Sequence, residues 1–404
     1  MNARSNDTST LLLAALLAGI STLGPFSIDT YMPSFPAIER AFAVTPIAMQ
    51  QTISAYMIPF SVMTLFHGAL SDSFGRRPVI VFSLGMFGVA SFGCSLSQNI
   101  TQMLVFRGMQ GMFAGAGMVV GRAMIRDVYH GHEAQRVMSL VTMIFGLAPA
   151  IAPILGGWLE IWFGWRSVFA FLVLFAGALC FASYRRLPET LAVAKRQRFA
   201  PRPLLRAYLR LLGAGRFLLL TSSVAFNFAA FFLYISSAPA LIYNLLGLDA
   251  HQFGYLFVPG VTGIVIGAFI SGRLAGRLSA RRTVGLAYGV MIGAVAFNLG
   301  YHALWPPALP WTVAAVMLYN VGMSLAMPNL TLLALDLFPE NRGLAASLQG
   351  GQQSLFTGLT AGILSPWLSV SALGLAAGTT GLMACGLVCW FAYSRLPKRE
   401  SLHA

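Results

Sequence analysis

Twelve apolar blocks, each about 20 residues or more, leave this chain few ways to fold other than as a bundle of membrane-crossing helices. In a hydrocarbon core about 30 Å thick no water satisfies the backbone, so each block must pair its own N–H and C=O groups, which a helix does. The blocks fall at about 10–34, 47–70, 78–97, 100–121, 136–159, 166–185, 216–244, 252–272, 282–303, 311–334, 344–367 and 371–394. Charged residues make up only 9% of the 404, and mean hydropathy is +0.73. A water-soluble domain is excluded, and an all-α, polytopic membrane protein is expected.

The net charge of +14 would suggest nucleic acid in a soluble protein. Here it reports topology. An even number of spans puts both termini on one side. With that side taken as cytoplasmic, the inner segments hold 23 of the 26 Lys and Arg residues. The outer loops hold Arg40 and Arg166, and Arg107 lies inside the fourth segment. Such asymmetry places both termini in the cytoplasm and removes any need for a nucleic-acid partner. The N-terminal tail has one cation and no clear small-residue cleavage site, so the first block reads as a retained helix. Cys94, Cys180, Cys385 and Cys389 all sit in apolar runs and form neither a disulfide framework nor a metal pattern. No cofactor or metal is expected.

The longest hydrophilic stretch, 186–215, is basic and divides the chain into residues 1–185 and 216–404, each with six spans. It reads as a solvated linker that helps set topology, although its cations could also meet anionic lipid headgroups. The halves echo each other. Gly68-Ala-Leu-Ser-Asp-Ser-Phe-Gly-Arg-Arg77 follows the second span, and Gly272-Arg-Leu-Ala-Gly-Arg-Leu-Ser-Ala-Arg281 follows the eighth, 204 residues later. Duplicated six-helix halves are a common plan of secondary transporters, with the substrate site between them near midplane.

Asp29 is the one acidic residue set well inside an apolar block. At membrane depth a charge costs roughly 2.5–3.5 kcal/mol on insertion scales, so such a residue is expected to face a cavity and to meet a cation or a proton. Asp29 precedes the end of an outward-running helix, and Arg107 follows the start of an inward-running one. Both therefore fall roughly 8–13 Å below the outer surface at 1.5 Å per residue. Matching depth makes them candidate partners, with Gln110 one turn from Arg107. Gly111, Gly115, Gly117 and Gly121 continue down the same segment and allow a neighbour to pack closely. A static buried ion pair that only positions helices is the competing reading.

The loop Gly68, Asp72, Gly75, Arg76 and Arg77 resembles the loop motif of the major facilitator superfamily, departing from it at Ser73, where a basic residue is usual. Ser27-Ile-Asp-Thr-Tyr-Met-Pro33, Leu104-Val-Phe-Arg-Gly-Met-Gln-Gly111, Arg126-Asp-Val-Tyr129 and Leu187-Pro-Glu-Thr190 look like the Bcr/CflA drug-resistance group within the twelve-helix drug:proton antiporters. The fifth segment, with Gly146, Pro149, Pro153, Gly156 and Gly157, resembles the antiporter motif, with Ala152 in place of one glycine. Its prolines remove backbone donors and bend the helix.

The resemblance implies a monomeric, multi-pass transporter of a bacterial inner membrane that trades protons for drugs by alternating access. It implies coupling by Asp29 and Arg107, a cytoplasmic latch built on the loop with Asp127, and a seal between the halves at the bent helix. Asp72 would pair with the loop arginines or with a helix terminus of the other half. Pocket candidates are Tyr31, Met32, Tyr56, Gln110, Asn227, Phe228, Phe231, Phe232, Tyr234, Tyr255 and Phe257, because aromatic faces hold flat apolar drugs and cations. Export of an endogenous metabolite, a nucleoside or amino-acid derivative, is the alternative within transporters. An enzyme is disfavoured, since no phosphate loop, metal cluster or nucleophile–base set is present in the sequence.

Overall fold

The apolar blocks become helices, but several break where the sequence removes a backbone donor. This computed structural model describes residues 3–129 and 131–396. Lys398 and Arg399, counted above among the inner cations, lie outside the described residues. The first half comprises α1 (Ala3–Asp29), α2 (Phe35–Phe42), α3 (Pro46–Phe74), α4 (Arg76–Leu96), α5 (Ile100–Val128), α6 (Gly131–Phe163) and α7 (Trp165–Arg186). After α8 (Pro201–Leu212) come α9 (Gly215–Ser236), α10 (Gly254–Leu274), α11 (Ala280–Leu304), α12 (Trp311–Leu335), α13 (Arg342–Leu359), α14 (Ser365–Leu368) and α15 (Ala372–Arg395). Eleven stretches among the described residues are long and apolar enough to cross a membrane. The remaining expected span is α13 with α14. It carries Gln349, Gln352 and Gln353 and passes through a π-helical turn at Thr360–Leu364, which accounts for its weaker hydropathy.

The first block does not run unbroken to residue 34. Pro33 and Pro36 each lack an N–H, and the residue before a proline is pushed out of the α region. The chain answers with a 3-10 turn at Met32–Ser34 and a fresh helix, α2. Asp29 thereby becomes the last residue of α1. The linker also differs from expectation, since its second half is the helix α8, opened by Pro201.

Helices α3, α4, α5 and α7 pack on one another, and α1 lies against α5, α6 and α7. In the second half α12 lies between α10 and α11, and α9 packs on α12, α13 and α15. Two joints connect these groups. Along one, α3 lies on α13, and Gln51 Nε2, Ser54 Oγ and Ser61 Oγ donate to the carbonyls of Gly362, Gly358 and Gly351 at 2.8, 2.7 and 2.6 Å. Along the other, α6 meets α10 and the 3-10 turn Ala250–Phe253. At the outer end Tyr243 Oη also donates to the carbonyl of Pro33 at 2.6 Å.

Gly75, between α3 and α4, has φ +103°, a region closed to most side chains. A Cβ there would collide with the Glu189 carboxylate. Gly75→Ala is expected to cost about 1–3 kcal/mol for the backbone alone. A lower melting temperature for the purified protein, against Gly85→Ala where nothing lies within 4 Å, would check it.

Candidate functional site

Arg107 is the largest fully buried side chain among the described residues, at 0% exposure. It sits about two turns into α5, and the glycine face of that helix is what lets α3 come close. A Cβ on Gly111 would overlap the Tyr56 carbonyl, so the α3 backbone occupies that space. The guanidinium carbon lies 4.3 Å from the Tyr31 ring centroid and 4.6 Å from that of Tyr56. Two phenol faces thus supply cation–π attraction, worth more where water is excluded. Nη1 donates to the Ser27 carbonyl at 2.9 Å and to Gln110 Oε1 at 2.7 Å. Gln110 Nε2 passes the chain on to Ser91 Oγ at 2.8 Å, and Tyr31 Oη meets Thr52 Oγ1 at 2.7 Å. Arg107 Nε and Nη2 and Tyr56 Oη have no hydrogen-bond partner among the described residues.

Asp29 is 4% exposed at the end of α1. It makes no ion pair with Arg107 and no hydrogen bond among the described residues. The tyrosine rings, not the carboxylate, hold the guanidinium. Met32 is buried in the turn that follows.

The second-half candidates separate into distinct places. Asn227 is buried: Nδ2 donates to Tyr288 Oη at 2.9 Å and Tyr319 Oη donates to its backbone carbonyl at 3.1 Å, while its Oδ1 has no partner among the described residues. Phe228 packs edge-on against Phe231, with centroids 5.7 Å apart, and stacks on Phe232 at 6.4 Å. Phe231 and Tyr234 line a cavity of about 10 Å³ with Asn298, Tyr319 and Thr379, room for a single water. Tyr234 Oη accepts from Asn298 Nδ2 at 2.8 Å. Phe257 is buried on α10, 6.3 Å from Phe253, whereas Tyr255 is 54% exposed on the outer surface of that helix and joins none of these groups. Tyr288, Tyr319 and Asn298 were not singled out from sequence. The available signal was the same as for Asn227, a polar group inside an apolar block.

At the cytoplasmic end, Arg76 is held by two carboxylates, Asp72 at 2.6 Å and Asp127 at 3.1 Å. Gly68, one turn before Ser71, lies against Val119 of α5. Glu189, also missed, caps α4: its carboxylate accepts from the backbone N–H of Arg76 at 3.0 Å and of Arg77 at 3.3 Å. Those are orphan donors of a helix N-terminus, where a negative charge is favourable. Thr190 Oγ1 donates to Asp127 Oδ2 at 2.9 Å, and Arg77 Nη2 donates to the Tyr184 carbonyl at 2.5 Å. The loop therefore clasps its own half and the start of the linker, where Gln197 N donates to Asp72 O at 3.0 Å. The expected contact of Asp72 with a helix terminus of the other half is not what this structure holds. Glu189→Ala is expected to cost about 1 kcal/mol, the scale of a lost cap, read as a lower melting temperature that Glu189→Gln partly restores.

Along α6, Pro149 and Pro153 interrupt the donor row, and the motif's glycines diverge in use. A Cβ on Gly156 would fall on the Thr30 carbonyl, and one on Gly157 on the Ala250 carbonyl. Gly156 thus seats α6 against the turn that follows Asp29, and Gly157 seats it against the other half. Gly146 has nothing within 4 Å.

The model of the Major Facilitator Superfamily matches residues 11–361. Multidrug resistance protein D of Escherichia coli (strain K12) is 28% identical over 393 residues, 96% of each chain. An uncharacterized MFS-type transporter, YdgK of Bacillus subtilis (strain 168), is 29% identical over 365 residues, 89% of each. A bicyclomycin resistance protein homolog of Haemophilus influenzae is 26% identical over 357 residues, covering 86% of this chain and 87% of that one. Among solved structures, a D-xylose-proton symporter matches with TM-score 0.70 at 16% identity, over 96% of this chain and 98% of that one. That likeness carries the fold, an all-helical membrane bundle, and nothing finer.

Proposed function

The chain belongs to the major facilitator superfamily, a family of membrane transporters and not of enzymes, and from that premise we propose that it is a proton-coupled antiporter exporting drugs across a bacterial inner membrane. It works as a monomer by alternating access, the halves 1–185 and 216–404 rocking about the α3–α13 and α6–α10 joints. The drug-resistance names of several relatives support the substrate class.

The observation that carries the coupling is the separation of Asp29 from Arg107. Arg107 has its charge spread between two tyrosine faces and its Nη1 occupied. Asp29 is left buried, with neither donor nor cation among the described residues. A proton or a cationic group of the substrate is the partner that remains for it. The two compete for one carboxylate, so a substrate that docks there displaces the proton, and a proton that returns displaces the substrate. Tyr31, Tyr56 and Gln110 hold Arg107 in place during the exchange. The loop at Gly68–Arg77 with Asp127 and Glu189 latches the cytoplasmic end, and Gly156 and Gly157 close α6 on its neighbours at the outer end.

The test is substrate-driven proton movement in liposomes that hold only the purified protein. The panel should include cationic drugs, neutral drugs, nucleosides and amino-acid derivatives. Proton release on addition of cationic drugs is the expected result. Movement with metabolites alone would assign the protein to metabolite export, and none with any compound would overturn the antiporter reading.

A further inference from the structure

The linker helix α8 presents three parallel rows, each repeating every three or four residues, so that each occupies its own strip of the helix surface. Leu204, Tyr208 and Leu211 face the protein: Tyr208 and Leu211 are buried, and Tyr208 Oη donates to the Leu65 carbonyl of α3 at 2.8 Å. Burial pushes this phenol up to about 12, so it remains a donor at any physiological pH. The Ser347 hydroxyl of α13 lies beside it. Leu205, Leu209 and Leu212 form the next row and are 58%, 57% and 42% exposed. Arg202, Arg206 and Arg210 form the third row, exposed and without an ion pair among the described residues.

We propose that α8 is a binding site for anionic phospholipid of the inner leaflet. An exposed leucine row beside an unpaired arginine row is the chemistry of a helix lying in the plane of a membrane interface, with leucines in the acyl region and guanidinium groups on phosphates. The position agrees: only two residues separate the end of α8 from the start of the apolar helix α9. Zwitterionic lipid would satisfy the leucines alone; the arginine row selects for net negative headgroups. The protein-facing row ends on the α3–α13 joint, so a seated α8 steadies the inner end of that joint through Tyr208. None of this depends on which substrate is carried.

Hydrogen exchange of the full-length protein tests the site, in vesicles of phosphatidylcholine alone and of phosphatidylcholine with phosphatidylglycerol. Amides of 204–212 are expected to exchange roughly a hundredfold more slowly with phosphatidylglycerol, at about 1 kcal/mol for each of three arginines. The variant Arg202→Gln/Arg206→Gln/Arg210→Gln should lose that difference while the spanning helices keep their protection. Equal exchange in both lipids, or an unchanged lipid response in the triple variant, would overturn the proposal. Tyr208→Phe separates the two parts. It should keep the slowed exchange of α8 but lose the rise in melting temperature that phosphatidylglycerol gives the parent protein. An undiminished rise would refute the link to the joint.

Discussion

Asparagine at position 29 is expected to leave the protein folded and its proton-driven export lost. Asp29 makes no hydrogen bond or ion pair among the described residues, so Asp29→Asn removes no contact and nearly preserves volume. What it removes is the carboxylate beside the Tyr31–Arg107–Tyr56 region, a group that can bind and release a proton. The loss should be about a hundredfold or more, the smallest effect commonly seen when a positioned proton carrier is removed from a reaction. Uptake of a cationic drug into inverted vesicles under an imposed pH gradient reads the rate, and the melting temperature reads the fold. Asp29→Glu should retain part of the rate. Full export by Asp29→Asn with an intact melting temperature would place the proton site elsewhere.

Gly156→Val is expected to be the most damaging change at the outer end. Its Cβ would fall on the Thr30 carbonyl, main chain that cannot swing aside as a side-chain tip would. Overpacking of a tight contact costs roughly 1–3 kcal/mol when side chains can yield, so the upper end of that range is the expectation here. The displaced residue follows Asp29 directly, so the variant should also weaken export beyond its loss of folded protein. Gly146→Ala, in the same motif with nothing within 4 Å, should instead be neutral or gain up to about 1 kcal/mol from helix propensity. Thermal melts and transport normalised to folded protein separate the two. Equal behaviour of the two variants would mean that the close approach at Gly156 carries no weight.

The spans were largely legible because bilayer thickness and backbone satisfaction leave one solution for a long apolar block, whereas the break after Asp29, which Pro33 and Pro36 impose, was not expected. Helix spacing led Asp29 and Arg107 to be expected at one level. Rotation about a helix axis was not legible. Whether Arg107 meets Asp29 or the rings of Tyr31 and Tyr56 depends on angles that the block pattern does not encode, since polar residues occur on more than one face of α1 and α5. The linker helix was missed for another reason. Leu204, Leu205, Tyr208, Leu211 and Leu212 carry a helical period behind Pro201, but the surrounding arginines made the stretch read as solvated. Glu189 was visible only as part of a short motif. Its task, capping α4 from 113 residues away in sequence, exists only once α7 returns to the cytoplasmic end beside that helix.

The joint between α3 and α13 divides its labour unevenly. Every donor described on it is a side chain of α3, and every acceptor is main chain of α13 or of the π-helical turn that continues it. Amino-acid changes on α13 leave carbonyls where they are, provided residues 351, 358 and 362 stay small. One helix therefore stores the instructions for the hinge, and its partner is free to vary the side chains it shows to passing molecules. A transporter built this way can acquire new cargo by mutation without relearning how to move.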